Sequence, residues 1–428
     1  MLKKISIYQI GLLPIALVAG PLIAEILLLL TFINFIYFFY REKKSYIFNE
    51  KILKIFLIFW IYIVVISFFS VEKFISLKSS FFYIRFGLYT LSIVYFLNSI
   101  SDSIETIYKI YKYTLIFVIL DSFYQIFTGQ DIFGLKPNND DLMRISGPFG
   151  DKFILGSFLQ KILPVFIYLI LKIKKNNDKI KISDFLILIL SIVLIYRSGD
   201  RSALGLILLF SFIFFLINKS LRKNIIKIFV LFLIFSILLT IQNPRIFERT
   251  FLDTIGQIKG KYYENFLEKD ISETKFNFMI FSFHHQSHYS TAVRMFLNKP
   301  IFGHGPKSFR IMCKDFEFKP NKNIKNSFGE IKKGYGCSTH PHNTYLQLLA
   351  ETGIIGFSFI FCFFIYLTYK ILNLIKNNDK KYIYNSLMIG IFINLWPIIP
   401  TGNFFNNWLS MVYFIPISFY LYEIKKIK

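Results

Sequence analysis

The chain has 428 residues, of which 54% are hydrophobic and 19% aromatic, and it carries a formal net charge of +24. This apolar content argues against an ordinary soluble domain, and the positive charge fits either nucleic acid or a membrane surface as a partner. The placement of the charge decides between the two, because most lysines stand in short clusters between long apolar runs, where cytoplasmic loops of membrane proteins are basic. The sequence therefore predicts a protein of the lipid bilayer and no nucleic-acid partner.

Apolar runs recur along the whole chain, and about twelve of them are typical of transmembrane helices, although several are shorter than the roughly 20 residues of a perpendicular span. They lie near residues 7–20, 21–40, 54–70, 80–98, 108–128, 153–172, 184–197, 202–218, 226–241, 353–371, 383–400 and 407–423. Gly20 and Pro21 divide the first two runs, which favours a helix break. We predict an all-α polytopic membrane protein with helices 1–9 in residues 1–241, one large loop in 242–352 and helices 10–12 in 353–428.

The distribution of Lys and Arg predicts the orientation of these helices. With the N-terminus inside, every second loop is basic, and the short loops between them are not. The inside segments begin near Arg41, Ser99, Lys172, Asn218 and Lys370, and the tail ends at Lys428. Both termini are therefore expected in the cytoplasm, and the large loop outside it.

Two arginines flank a short turn between apolar runs in the segment Arg197–Arg201, whose sequence is RSGDR. An arginine near hydrocarbon usually faces a partner or a wet cavity, and its planar fork suits phosphate. The alternative is a snorkelling arginine beside a tight turn, with Asp200 as its partner. Because two arginines flank a single acid, phosphate binding is the preferred interpretation.

A histidine pair precedes the tenth apolar run, in the sequence STHPHNTYLQLLAETG that begins at Ser338. Thr339 or His340 can cap a helix with Pro341 in its first turn, which places His342 within that turn. A helix N-terminus attracts anions and lowers the pKa of a nearby histidine, and a general base requires neutral imidazole. The alternatives are capping histidines without chemistry and a metal site, which no nearby carboxylate pattern supports.

Polar side chains continue along the same predicted helix. Asn343, Gln347 and Glu351 recur every four residues and therefore share one face. Gly353 is expected to end this helix before the next span begins.

Two further arginines stand in weaker motifs. Arg294 begins an amphipathic stretch that runs into a Pro/Gly turn, where Gly303 and Gly305 allow close backbone approach. Taken alone, Arg294 is better explained as a surface residue. Arg144 opens the Gly/Pro turn RISGPFG before a span, which by itself is only a loop signal.

The large loop also contains candidate metal ligands and cysteines. His284 and His288 have i, i+4 spacing, but no third ligand is identifiable, so a solvated loop segment is the preferred interpretation. Cys313 and Cys337 share the loop, which would lie in an oxidising compartment, and we predict that they form a disulfide. Such a bridge would tie the loop down just before His340, and two free thiols are the alternative.

Taken together, these motifs resemble those of the O-antigen ligase and polymerase superfamily of bacterial envelope glycosyltransferases. The most specific is His340 to Gly353, and the arginine turn, the stretch from Arg294 to Gly305 and the RISGPFG segment occur in the family's order. The resemblance implies a multi-spanning helical fold like that of lipid-dependent (GT-C-like) glycosyltransferases. It also implies transfer of a glycan from a polyprenyl diphosphate carrier to an acceptor hydroxyl, with no metal, cofactor or nucleoside triphosphate.

The resemblance and the chemistry of the side chains together suggest a role for each candidate. A sugar leaving from diphosphate needs positive charge, for which we expect Arg201 and Arg294, and the acceptor hydroxyl needs a base, for which we expect His342 with His340 as the alternative. The candidate substrate-binding residues are Arg197, Arg144, Asn343, Gly303, Gly305 and Glu351.

The preferred function is an O-antigen ligase, which joins the glycan to lipid A–core on the periplasmic face of the bacterial inner membrane. The nearest alternative is a polymerase, whose acceptor is another lipid-linked repeat unit. A polysaccharide transporter or flippase is a more distant alternative, because polar residues concentrate at the outer face and no related halves are evident.

Overall fold

The computed structural model describes residues 1–42, 51–137, 144–174, 180–258, 283–318, 324–325, 331–332, 336–377 and 383–427. Helices dominate this part of the chain. The first ten are α1 (Leu2–Ala19), α2 (Pro21–Glu42), α3 (Lys51–Ser67), α4 (Lys73–Phe81), α5 (Ile84–Ser99), α6 (Ser103–Thr128), α7 (Leu155–Ile173), α8 (Ile182–Arg197), α9 (Arg201–Ile217) and α10 (Arg222–Gln242). They are followed by α11 (Pro244–Phe247), α12 (Asp253–Ile258), α13 (Phe283–Asn298), α14 (Phe309–Met312), α15 (Thr344–Asn377), α16 (Asn385–Asn394) and α17 (Asn407–Ile427).

A few short elements complete the described chain. Two-residue strands β1 (Ile324–Lys325) and β2 (Ile331–Lys332) pair antiparallel. Single turns of 3-10 or π helix occupy Gly147–Phe149, Lys219–Leu221, Glu248–Leu252 and Phe316–Phe318.

Seven helical segments within the described ranges are long and apolar enough to cross a membrane. They are Leu2–Ala19, Pro21–Glu42, Lys73–Ser99, Ser103–Thr128, Leu155–Ile173, Lys219–Gln242 and Thr344–Lys376. The predicted all-α polytopic membrane fold is confirmed. Each predicted apolar run coincides with a helix, but several of these helices, α9 and α16 among them, are short, so the count of twelve spans stays a prediction.

Lysine–carboxylate pairs mark one end of the helical bundle. Lys112 Nζ lies 2.8 Å from Asp184 Oδ1, and Lys172 Nζ lies 2.8 Å from Glu423 Oε2. Both carboxylates are buried, and a buried charge is tolerated when a hydrogen-bonded partner of opposite sign accompanies it. All four residues lie on the halves of their helices that the charge distribution predicts to face the cytoplasm.

The breaks between α1 and α2 and between α8 and α9 lie at the opposite end of the bundle. Gly20, with a φ of 137°, separates α1 from α2, which confirms the break predicted there. Trp408 in α17 donates a hydrogen bond from Nε1 to the carbonyl oxygen of Leu17, 3.1 Å away. A side chain at Gly156 would place its Cβ 2.5 Å from Ser198 Oγ, so α7 packs closely against the turn between α8 and α9.

A break at Gly353 divides α15 into a short polar part and a long apolar part. Gly353 has φ 62° and ψ −171°, and a Cβ there would lie 2.2 Å from the carbonyl oxygen of Ile301. The backbone on either side of the break bonds to the Pro300–Gly305 turn, because Ile354 N donates to Pro300 O at 2.8 Å and Gly305 N donates to Glu351 O at 2.8 Å. This backbone contact fixes the loop to the start of the span.

Candidate active site

A cavity of about 1380 Å³ lies at the end of the bundle that contains the helix breaks. The described residues that line it carry more positive than negative charge. Its basic residues are Lys136, Arg144, Lys152, Lys161, Lys307 and Arg310, its acidic residues are Asp151 and Asp200, and its histidines are His285, His340 and His342. A concave site with this excess of positive charge favours an anionic ligand.

Four histidine rings meet beside the cavity, with His342 in their middle. Its ring centroid lies 4.1 Å from that of His340, 5.4 Å from that of His288 and 5.5 Å from that of His285. The His340 ring is held by Thr339, whose Oγ1 lies 2.9 Å from His340 Nδ1. His342 therefore stands where a ligand in the cavity can reach an imidazole.

The helix after the histidines begins later than the sequence predicts. The sequence predicts Thr339 or His340 as the cap, but α15 begins at Thr344 and Asn343 caps it. Asn343 Oδ1 accepts hydrogen bonds at 3.0 Å from the backbone N–H groups of Tyr345 and Leu346. The expected position of His342 inside the first turn is therefore wrong: it lies just before the cap.

The backbone of His342 adopts an unusual conformation for a residue with a side chain. Its φ is 57°, in the left-handed region, and its carbonyl oxygen accepts a 2.9 Å hydrogen bond from Thr401 N. Asparagine, aspartate and histidine are the side chains that enter this region most readily. The His342 side chain lines the cavity.

Burial keeps both histidines neutral. Desolvation, followed by repulsion from His288, lowers the pKa of His342 to about 4. Desolvation is also the main reason that the pKa of His340 falls to about 3, with a smaller contribution from His342. The sequence predicts a neutral imidazole because of the helix N-terminus, whereas in the structure burial is the main cause.

His285 and His288 do not lie in a solvated loop, so that interpretation of the segment is wrong. Both residues belong to α13, and their rings contact the ring of His342. The side chain of His284 lies outside the described residues. Among the side chains that are described, no three His, Cys, Asp or Glu residues are arranged to hold a metal ion.

The arginine turn lies next to the cavity and connects to it through Arg144. Arg144 Nε donates a 3.0 Å hydrogen bond to Ser198 O, and its guanidinium stacks on Phe153, 4.2 Å from the ring centroid. Arg249, which the sequence does not single out, donates from Nε to Gly199 O at 3.4 Å. Arg201 begins α9 and donates from Nη1 to Thr254 Oγ1 at 3.3 Å.

Of the predicted anion-binding arginines, only Arg144 is among the described cavity-lining residues. Arg197 and Arg201 are half-buried and flank the turn whose Asp200 lines the cavity, and Arg294 is half-buried in α13, the helix of His285. Asp200, considered as an arginine partner, accepts a 3.0 Å hydrogen bond from Ala203 N and so caps α9.

The remaining predicted substrate-binding residues hold the protein together rather than line the cavity. Gly303 and Gly305 lie in the turn that packs on the Gly353 break, as described above. Asn343 uses its side chain to cap α15 and to donate a 2.7 Å hydrogen bond to Pro397 O. Glu351 is fully buried, and its Oε2 accepts a 2.9 Å hydrogen bond from Gln347 Nε2.

A disulfide joins the loop to the histidine segment. Cys313 and Cys337 are bonded, with their Cα atoms 4.9 Å apart, and Cys362 in α15 is a free cysteine. Cys313 directly follows α14, and Cys337 stands three residues before His340. The bridge therefore anchors the histidine segment to a buried cluster that includes Phe309 and Met312.

Five basic residues that line the cavity are absent from the sequence prediction: Lys136, Lys152, Lys161, Lys307 and Arg310. Lys307 and Arg310 lie within five residues after Gly305, so basic residues just past the Pro/Gly turn are a signal available in the sequence. Burial, and then the like charge of Arg310, lowers the pKa of Lys307. Lys161 interrupts the apolar run of α7, and an ionisable residue inside a span is by default a functional candidate.

These features define a polytopic membrane protein with a basic, histidine-containing cavity at one end of its helical bundle. Residues 186–361 match the model of the O-antigen ligase family. No curated protein matches the chain. The family match confirms the resemblance of the motifs to those of the O-antigen ligase superfamily, whose proteins are ligases and polymerases of the glycosyltransferase type.

Proposed function

We propose that the protein is an O-antigen ligase that moves a glycan from a polyprenyl diphosphate carrier to a hydroxyl of lipid A–core at the periplasmic face of the inner membrane. The observation that carries the proposal is a neutral histidine, His342, at a cavity lined by basic side chains. The cavity is also larger than the 300–1,000 Å³ common for sites of small ligands, which suits two glycan substrates.

His342 is the general base in this proposal. The acceptor oxygen forms a bond to the anomeric carbon of the donor, and the bond from that carbon to the diphosphate oxygen breaks. The proton of the acceptor hydroxyl passes to an imidazole nitrogen of His342, which must be neutral to accept it. Burial of the ring supports this role, because it disfavours the charged form.

Arginines stabilise the leaving group. The polyprenyl diphosphate departs with the bonding electrons, and its negative charge needs donors that are already in position. Arg201 and Arg294 are assigned this role, together with Arg144, which touches both the arginine turn and the cavity. Their guanidinium groups present paired donors that match phosphate oxygens.

Glu351 has a positioning role in this scheme. Its Oε1 accepts a 3.1 Å hydrogen bond from the backbone N–H of Phe309, which holds the loop that carries Lys307 and Arg310. Those two side chains line the cavity beside the histidines. They are therefore further candidates to face the anionic groups of the substrates.

Deletion of the gene, followed by gel analysis of lipopolysaccharide, tests the proposal. Loss of the whole glycan ladder with accumulation of lipid-linked polymer supports a ligase, and complementation with the parental gene should restore the ladder. A lipid A–core that carries a single repeat unit would instead identify a polymerase. Accumulation of donor on the cytoplasmic face would identify a transporter.

A further inference from the structure

Lys161 is a buried lysine within a membrane-spanning helix. Its side chain is 9% exposed, and it lines the cavity from the second turn of α7, about 9 Å along the helix from Leu155. The residues around it in sequence are apolar apart from Ser157 and Gln160. A charged lysine inside the membrane is energetically costly unless a group of opposite charge accompanies it.

The described hydrogen-bond partners of Lys161 are neutral oxygens. Nζ donates to Ser157 Oγ at 2.6 Å and to Gln160 Oε1 at 3.3 Å. Gln160 is held in turn by Asn394, since its Nε2 donates to Asn394 Oδ1 at 3.2 Å. Asp200 acts on Lys161 through its charge, but its Oδ1 is already bonded to Ala203 N at the start of α9.

Lys161 lines the same cavity as Asp200 of the arginine turn, and α7 packs closely against that turn. Gly156, five residues before Lys161, lies against Ser198 and Asp200, because an added Cβ would stand 2.5 Å from Ser198 Oγ and 2.8 Å from Asp200 Cβ. Arg144 bonds to Ser198 O on this turn and also lines the cavity. The cavity lining therefore combines the guanidinium of Arg144 with the ammonium of Lys161, which lies in the second turn of α7.

We propose that Lys161 binds the diphosphate of the lipid-linked donor, with Ser157 and Gln160 orienting its ammonium group. This assignment rests on the proposed function. The polyprenyl chain of such a donor stays in hydrocarbon, so its diphosphate approaches the cavity from the membrane surface. A compact, buried ammonium matches that charge, and the lipid-linked diphosphate supplies a hydrogen-bonded counter-ion, whereas the described hydrogen-bond partners of Lys161 are neutral.

Binding of soluble probes to the purified full-length protein tests the site. Geranyl diphosphate represents the lipid-linked diphosphate, and glucuronate represents an anionic sugar. Lys161→Met should weaken geranyl diphosphate binding by roughly 10- to 100-fold, the loss expected for one charge-assisted hydrogen-bonding group, and Lys161→Arg should retain part of it. The control Lys109→Met removes an exposed lysine of α6 and should leave the affinity unchanged.

Thermal unfolding of the same variants separates binding from a structural role. Replacing a buried charge by an apolar side chain of similar size is often neutral or stabilising, so Lys161→Met should unfold no earlier than the parent. The proposal would be overturned if Lys161→Met lowered the melting temperature and left the affinity for geranyl diphosphate unchanged. It would also be overturned if the parental protein bound glucuronate but not geranyl diphosphate. The binding assay does not depend on glycan transfer. If deletion of the gene left lipopolysaccharide intact while Lys161→Met lost affinity for geranyl diphosphate, the diphosphate site would be supported and the ligase function would be contradicted.

Discussion

The carboxylate of Glu351 accepts a hydrogen bond from the backbone N–H of Phe309, a residue 42 positions earlier in the chain. Through this bond the polar first part of α15 holds the loop that contributes Lys307 and Arg310 to the cavity. The second carboxylate oxygen accepts from Gln347, which in turn binds the segment between α16 and α17 through Asn403. A single buried side chain thus joins two loops that border the candidate site.

Replacing Glu351 by Gln should destabilise this arrangement. Glutamine has a single carbonyl oxygen, which can accept from Phe309 N or from Gln347 Nε2, and its NH₂ group would then face the remaining donor. The lost hydrogen bond should reduce the stability by about 1–3 kcal/mol. We expect a lower unfolding temperature in detergent and weaker donor binding. Glu105→Gln, at an exposed pair with Lys109, is the matched control and should behave as the parent does.

His342→Ala should remove transfer without removing donor binding. The base acts on the acceptor, and loss of one positioned base typically costs about a hundredfold to ten-thousandfold in rate. Turnover by the purified variant and its affinity for a prenyl diphosphate give the two measurements. His285→Ala, at a neighbouring ring that also lines the cavity, should have the smaller effect; near-parental turnover by His342→Ala would transfer the base role to His340.

The pH profile should show an inflection at unusually low pH. With the pKa of His342 at about 4, the imidazole is neutral above that value and becomes protonated as the pH falls through it. We expect kcat/KM to be flat between pH 6 and 8 and to fall toward pH 4, since this parameter reports the free enzyme. The negative charge of bound diphosphate raises the pKa of His342, because it favours the protonated imidazolium. The inflection of kcat should therefore lie at a higher pH than that of kcat/KM. A decline of kcat/KM centred near pH 6.5 would contradict a buried base.

The disulfide should stabilise the histidine segment. The bond between Cys313 and Cys337 closes a loop with a sequence separation of 24, for which the chain-entropy model gives about 3.5 kcal/mol. Replacement of both cysteines by serine should lower the unfolding temperature and reduce transfer. Cys362→Ser, at the exposed free cysteine, is the control. Mass mapping without reductant checks the pairing, and alkylation of both loop thiols in native membranes would disprove it.

The orientation can be read from the labelling of single cysteines. In a Cys362→Ser background, Asn298→Cys at the end of α13 should react with a membrane-impermeant maleimide in intact spheroplasts, because the large loop is expected outside. Ser101→Cys, in the exposed turn between α5 and α6, should react only after the membrane is opened. The reverse pattern would invert the protein and move the candidate site to the cytoplasm.

Properties that depend on sequence period and composition could be predicted without coordinates. The positions of the helices, the break at Gly20 and the family motifs follow from apolar runs and local turn chemistry. The start of α15 could not be fixed in the same way, because Thr339, His340 and Asn343 are all acceptable caps. Asn343 caps the helix because its amide also reaches Pro397, a tertiary contact 54 residues away.

The composition of the cavity lining could likewise be predicted from the sequence only in part. His342 is readable from its motif, whereas His285 joins it only because α13 packs against α15. Lys161 is hidden in an apolar run, and only the structure shows that it lines the same cavity as Asp200 and Arg144. Conversely, Arg201 and Arg294 are assigned to the diphosphate from their motifs and the family resemblance, yet they are not among the described cavity-lining residues. Which polar groups share a cavity is decided by the packing of distant helices.

The left-handed backbone conformation of His342 lowers the stability of the protein, whereas its side chain is proposed to serve the reaction. A non-glycine residue in this conformation costs roughly 1–2 kcal/mol, whereas glycine enters it freely. A library screened only for expression level or heat resistance should therefore accumulate glycine at position 342. The same library screened for growth that depends on the finished envelope should keep histidine there, so the residue enriched under each regime reports what this position is for.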